Sequence, residues 1–174
     1  MADVDAQNHE MLLNSIRRLE PLVREHADEA ERNRHISQPV VAALADAGVC
    51  RMLVPKTLGG LEVPPATLYR VVEEVARIHG STGWCAMVWA TGPTFVSFLS
   101  DEAAETIYGT QPNSLVGGGI FPPGKAVVHD GAYLVSGRWP YASGCHHSAW
   151  LVGVCNVFEG DEMPTLLRSL STLL

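Results

Sequence analysis

The chain has no basic run, no apolar run of bilayer length and no closely spaced cysteine pair, and each absence narrows its role. Lysine and arginine number 12 against 19 aspartates and glutamates, a formal charge of −7. A nucleic-acid surface needs clustered positive charge, so no nucleic-acid partner is expected. No apolar segment reaches the roughly 20 residues that a membrane helix requires, so no membrane role is expected either. The N-terminal MADVDAQNHE is polar and acidic, unlike a secretory signal. Cys50, Cys85, Cys145 and Cys155 show no C-x-x-C spacing, which favours small buried thiols in a reducing cytoplasm over disulfides or zinc. Charged residues are 18% of the chain and apolar ones 47%, so a core is expected rather than disorder.

What is present divides near residue 113. Residues 6–30 carry Leu12, Leu13, Ile16, Leu19, Val23 and Ala27 on one helical stripe, and Pro21 is expected to kink or split that helix. Ser37-Gln38-Pro39 signals a second helix that stops at Gly48. Pro64-Pro65 opens a third, with Leu68, Val71, Val72, Val75 and Ile78 on its buried side and a Glu73–Arg77 pair on its polar side. Ser81-Thr82-Gly83-Trp84 starts the most apolar helix, which reaches Leu99 with a bend at Gly92-Pro93. A helix apolar all round belongs in a core or under a ligand. Ser100-Asp101-Glu102 caps a short fifth helix that ends at Gly109.

From Leu115 the residues become β-branched, glycine-rich and alternating. Gly117-Gly118-Gly119 is followed by neither Lys-Ser/Thr nor a helix, so the phosphate-loop and dinucleotide contexts are missing. The glycines instead let backbone approach a neighbour or a flat ligand. Asp130-Gly131, between Ala126–His129 and Ala132–Val135, supplies the two positive-φ positions of a type I′ hairpin. GRWPYASGC, residues 137–145, packs two aromatics, two glycines and a hydroxyl into an irregular strand end, suited to a planar ligand. Trp139 and Tyr141 alternate with Pro140 and Ala142 and are expected on one face. His146-His147 lack companions at metal spacing, so no metal is expected, although one of them is a candidate proton relay. Trp150–Val157 reads as a buried strand and Thr165–Leu174 as an unpartnered tail. The fold class expected is α+β: an all-helical domain over residues 1–113, then the first part of an antiparallel β-barrel-like domain over 114–174.

Gly-Arg-Trp-Pro-Tyr-Ala-Ser-Gly-Cys-x-x-x-x-Trp, ending at Trp150, resembles the flavin-contacting strand of the acyl-CoA dehydrogenase superfamily. Within it the likeness is closer to the flavin-dependent monooxygenases, the two-component hydroxylases, and it extends upstream to about residue 10. The resemblance implies a flavin, FMN or FAD, delivered reduced by a separate reductase, with oxygen used to oxygenate a small organic substrate. It implies Ser143 as a catalytic donor near flavin N5 that slows the loss of peroxide, with Trp139, Tyr141, Ala142 and Gly144 completing the cofactor contact. Trp84 matches the Trp that begins the cavity helix of the hydroxylases. Where those enzymes often carry a phenol-binding His this chain has Gly92, and where they place a Ser in the first β segment it has Gly118. Trp84, Gly92 and Gly118 are thus the expected substrate-side positions.

The dehydrogenase arm of the superfamily shows Thr-Glu-Pro before the hairpin and Trp-Ile-Thr in the flavin strand. Here those places hold Ile120-Phe121-Pro122-Pro123 and Pro140-Tyr141-Ala142, without the hydroxyls. An acyl-CoA dehydrogenase with resident FAD is therefore the second reading, and a non-catalytic helical interaction module the third. Superfamily members are longer, add a C-terminal four-helix bundle and usually form homotetramers. By that resemblance the chain is expected to be a fragment, inactive alone, with the catalytic base beyond residue 174.

Overall fold

The apolar stripe near the N-terminus decides how the helices assemble. In the computed structural model, which describes residues 2–158 and 172–173, it forms α1, Ala2–Glu25, followed after His26 by α2, Ala27–Asn33. Leu12, Leu13, Ile16 and Val23 are buried along it. The split falls at His26 and not at Pro21. Pro21 lies on the exposed side, where water can take up the carbonyl that its missing N–H leaves free. Helix α3, Gln38–Asp46, has Pro39 in its first turn, and the chain leaves it through left-handed Gly48. Helix α4, Pro65–Ile78, buries Leu68, Val71, Val75 and Ile78. Its Arg77 pairs with Glu74 at 2.8 Å rather than with Glu73, which pairs with Arg70 at 2.9 Å. Glu74 is the carboxylate that faces α1, where Arg17 reaches it at 3.6 Å.

Helix α5, Gly80–Thr91, continues as a 3-10 segment over Gly92–Phe98, so the winding changes at the expected Gly92-Pro93. Helix α6, Asp101–Ala104, is capped by Ser100, whose Oγ accepts from the Ala103 N–H at 3.2 Å. No helix among the described residues is long and apolar enough to cross a membrane. The four cysteines are free, and burial pushes the Cys50 thiol up to about 12.

Strand β1, Val116–His129, turns at Asp130-Gly131 into antiparallel β2, Ala132–Ser136. Both turn residues have positive φ, 46° and 76°, as a type I′ turn requires. Strand β3, Trp150–Phe158, lies on the other side of β1 and runs parallel to it, and β4, Thr172–Leu173, pairs antiparallel with β3. The sheet, ordered β2-β1-β3-β4, is therefore mixed, where antiparallel pairing was expected throughout. Residues 137–149 are long enough to cross over instead of closing a hairpin. The β1–β3 register slips between Gly119 and Gly124, where Pro122 and Pro123 have no N–H to give a ladder. Residues 172–173 have a strand partner although the sequence suggested an unpartnered tail. The rest of that tail, and the turn expected at residues 160–164, lie outside the described residues.

Two apolar clusters hold the assembly. The larger is the helical core around Leu12, Leu44, Val71, Val75 and Trp89. The smaller contains Val54, Ile107, Tyr108, Val116 and Val152 and joins helices to sheet. Trp139 anchors the sheet on its own: its ring covers Gly119, Gly124, Gly137 and Gly153, and its Nε1 donates to the Val154 carbonyl at 3.0 Å. Trp139→Ala should lower unfolding free energy by about 2–3 kcal/mol, scaled down from a fully buried aromatic because Trp139 is half-buried. Urea unfolding measures it, and a loss below about 0.5 kcal/mol, the usual size of a surface change, would refute the anchoring role.

Candidate functional site

Helix α5 presents two indoles. Trp84 stands 58% exposed, and Trp89, five residues on, is fully buried. Facing them, residues 139–147 form a chain of tight turns and not a strand. Pro140 cannot donate to a ladder, and Tyr141 and Gly144 both take left-handed φ, 59° and 76°. The Ser143 N–H donates to the Tyr141 carbonyl at 2.7 Å, that of Cys145 to Ala142 at 3.2 Å and that of His147 to Gly144 at 3.1 Å. This reversal separates the aromatic pair that the alternation placed on one face. Trp139 packs into the sheet, while Tyr141 projects outward, 95% exposed.

The turns meet α5 through both indoles: Trp89 Nε1 donates to the Gly144 carbonyl at 3.3 Å, and Trp84 Nε1 donates to the Ser143 hydroxyl oxygen at 2.9 Å. The hydroxyl's own acceptor, the Tyr141 carbonyl, lies at 3.5 Å, too far for a strong bond. The Trp84 indole therefore occupies one lone pair of Ser143, and the hydroxyl proton is only weakly engaged by that carbonyl.

Two clefts open beside this contact, and Trp84, Tyr141 and Ser143 line both. One, of about 500 Å³, is walled by Met87, Val88 and Phe95 of the α5 arm and by residues 116–121. It is mainly apolar, with few convergent polar groups, as small-molecule sites are. The other, of about 670 Å³, is bounded by Arg34, His35, Cys85, Ala142, Gly144 and His146, among others. Of the sequence-derived positions, Gly92 and Gly118 border the apolar cleft, Ala142 and Gly144 the polar one, and Trp139 neither. Trp139 packs into the sheet against Gly119, Gly124, Gly137 and Gly153 and lines neither cleft itself. Gly92 has no room for the His that some hydroxylases carry: a Cβ there would lie 2.9 Å from that of Val116.

Three histidines gather at the polar cleft. The His35 ring centroid is 5.6 Å from those of His146 and His147, and His147 stands edge-on to Trp89 at 6.1 Å. His147 Nδ1 lies 3.2 Å from Gln38 Oε1. Desolvation holds the His147 imidazole below its usual range; His35 and His146 add to this and the Ile36 backbone opposes it. Among the described residues no group of three His, Cys, Asp or Glu side chains is arranged to hold a metal. Sequence reasoning did not single out His35 or Trp89. His35 reaches the site from the α2–α3 connection and carries no local signal; Trp89 reads as one more apolar residue in an apolar helix.

A helical region joined to a mixed sheet makes an α+β fold, with Trp84 and Ser143 bonded at the rim of an apolar cleft. Residues 6–107 match the acyl-CoA dehydrogenase N-terminal domain, and the chain belongs to that family. It is 41% identical over 126 residues to indole-3-acetate monooxygenase of Pseudomonas putida, a match covering 72% of this chain and 32% of that protein. It is 31% identical over 150 residues to HsaA, the oxygenase subunit of a flavin-dependent monooxygenase of Mycobacterium tuberculosis, covering 86% and 38%. The crystal structure of HsaA from M. tuberculosis matches with a TM-score of 0.84 at 31% identity, over 90% of this chain and 41% of that one. The chain thus spans about a third to two fifths of the length of these relatives.

The histidine cluster has a pH consequence. The folded state disfavours the His147 imidazolium, so the unfolded chain binds more protons, and stability falls as pH drops below the ordinary value of 6.5. His147→Gln should flatten that acid-side decline in urea midpoints taken between about pH 7.5 and about pH 5. An unchanged slope would show that His147 does not carry it.

Proposed function

We propose that the polypeptide carrying this chain is a flavin-dependent monooxygenase, and that this part of it holds the edge of the flavin ring and one side of the substrate. The observation that carries the reading is the Trp84–Ser143 bond, which fixes a hydroxyl beside an apolar cleft while its proton is only weakly held by the Tyr141 carbonyl. The residues present fit a flavin edge: an oriented donor, the exposed Tyr141 ring and bare backbone at 117–119. When bound in reduced form, FMN or FAD would supply the oxygen chemistry, and a small organic substrate would receive an oxygen atom. Ser143 would hydrogen-bond with N5, which carries a hydrogen in reduced flavin, with Tyr141, Ala142 and Gly144 along the ring. Trp84 would orient Ser143 and close one side of the substrate space. Met87, Val88 and Phe95 would exclude water, and Gly92 and Gly118 would give the substrate backbone rather than side chains.

The two relatives, both named monooxygenases, support this reading over an acyl-CoA dehydrogenase. So does the absence of the threonine hydroxyls of the dehydrogenase motifs at Ile120–Pro123 and Pro140–Ala142. The oxygenase-subunit name of HsaA supports a separate flavin reductase as partner. A homotetramer and a cytoplasmic setting complete the proposal.

The test supplies chemically reduced FMN or FAD and oxygen to the full-length protein and follows peroxide release. Ser143→Ala should release peroxide about tenfold faster, the scale of one lost hydrogen bond. A variant that still binds flavin but releases peroxide at the native rate would contradict the role of Ser143. Absence of any reduced-flavin-dependent oxygen uptake would contradict the function as a whole.

A further inference from the structure

Behind the proposed donor lies the fully buried indole of Trp89. Its Nε1 donates to the Gly144 carbonyl at 3.3 Å, and Ser148 Oγ donates to the same oxygen at 3.0 Å. The Trp89 ring also seats against the Gly144 Cα so closely that a Cβ there would overlap the indole. Gly144 is left-handed, φ 76°, so the turn at this point needs both the backbone freedom of glycine and the space that the indole leaves it. Five residues separate Trp84 from Trp89, which places them about 140° apart around the α5 axis. One indole meets the turn through the Ser143 side chain, and the other holds it through the Gly144 backbone.

A bond of 3.3 Å is at the long end for N–H···O and alone would hold the turn loosely. The ring contact supplies the rest. A buried indole N–H without an acceptor is costly, so Trp89 and the Gly144 carbonyl constrain each other.

We infer that Trp89 is a positioning residue: by pinning Gly144 it sets where the Ser143 hydroxyl sits relative to Trp84 and the apolar cleft. The inference deepens the reading of Ser143 as a flavin-edge donor and rests on it for its functional meaning. The contact itself can be tested separately.

Trp89→Phe keeps an aromatic ring and deletes the N–H. In amide and indole proton–nitrogen spectra, Trp84 Nε1–H reports on its bond to Ser143, and Trp139 Nε1–H, bonded to Val154, is the control. In the variant the Trp84 resonance should move and its hydrogen exchange should quicken about tenfold, with Trp139 unchanged. Peroxide release should rise to the level of Ser143→Ala, and the double variant should be no faster than either single one. A purely packing role for Trp89 would not produce that non-additivity.

An unmoved Trp84 resonance overturns the inference, whatever Ser143 does. So does unchanged peroxide release in Trp89→Phe where Ser143→Ala accelerates it. If the Trp84 resonance moves while Ser143→Ala leaves peroxide release unchanged, the donor reading fails and the positioning role stands. Should Trp89→Phe fail to fold, the native protein decides: slow exchange of the Trp89 indole proton supports its bond to Gly144, and exchange as fast as an exposed indole overturns it.

Discussion

The seating of the sheet on helix α5 is the constraint from which the site follows. Gly92 presses on Val116, and Val116 with Val152 closes a small apolar cluster with Val54, Ile107 and Tyr108. Upstream on the same helix, Ala86, Trp89 and Ala90 are fully buried. An element held at both ends in this way cannot shift without opening apolar surface, and that is why the Trp84 and Trp89 indoles meet the 141–147 turns in a defined place. The proposed chemistry needs that rigidity, because a donor displaced by an ångström no longer serves the atom it faces.

Much of the helical part was legible because its signals are local. Apolar spacing located α1, α3, α4 and α5, a Pro in the first turn marked two helix starts, and Gly48 marked a stop. Asp130-Gly131 located the hairpin for the same reason. The errors arose where tertiary surroundings override a local rule. Pro21 was expected to kink or split a helix, but α1 runs through it to Glu25 with Pro21 on the exposed side. Glu73 has the favoured spacing to Arg77, yet Glu74 takes the arginine because it also faces Arg17. The mixed sheet was hidden because strand direction is set by a crossover and leaves no trace in alternation.

The candidate site was read in pieces. Ser143 and Trp84 were assigned different ligands, one the flavin and one the substrate. The structure ties them together by a hydrogen bond that no spacing rule reveals, since 59 residues separate them. Trp139 and Tyr141 were misjudged as a pair because alternation holds only in extended chain, and left-handed Tyr141 ends it. The glycines at 117–119 were read as points of close approach, and their neighbours prove to be Ser148, the Val152 backbone and Trp139. The roles proposed for these side chains come from the family resemblance; the geometry adds which of them meet.

The account stands most directly on where a flavin ring would lie. A crystal structure of the full-length protein with FMN or FAD bound measures it. The ring is expected along Tyr141, Ala142 and Gly144, where the two clefts meet, with Ser143 Oγ about 3 Å from N5 and still held by Trp84. A ring that touches none of these residues, or a Ser143 hydroxyl directed away from it, would contradict the account.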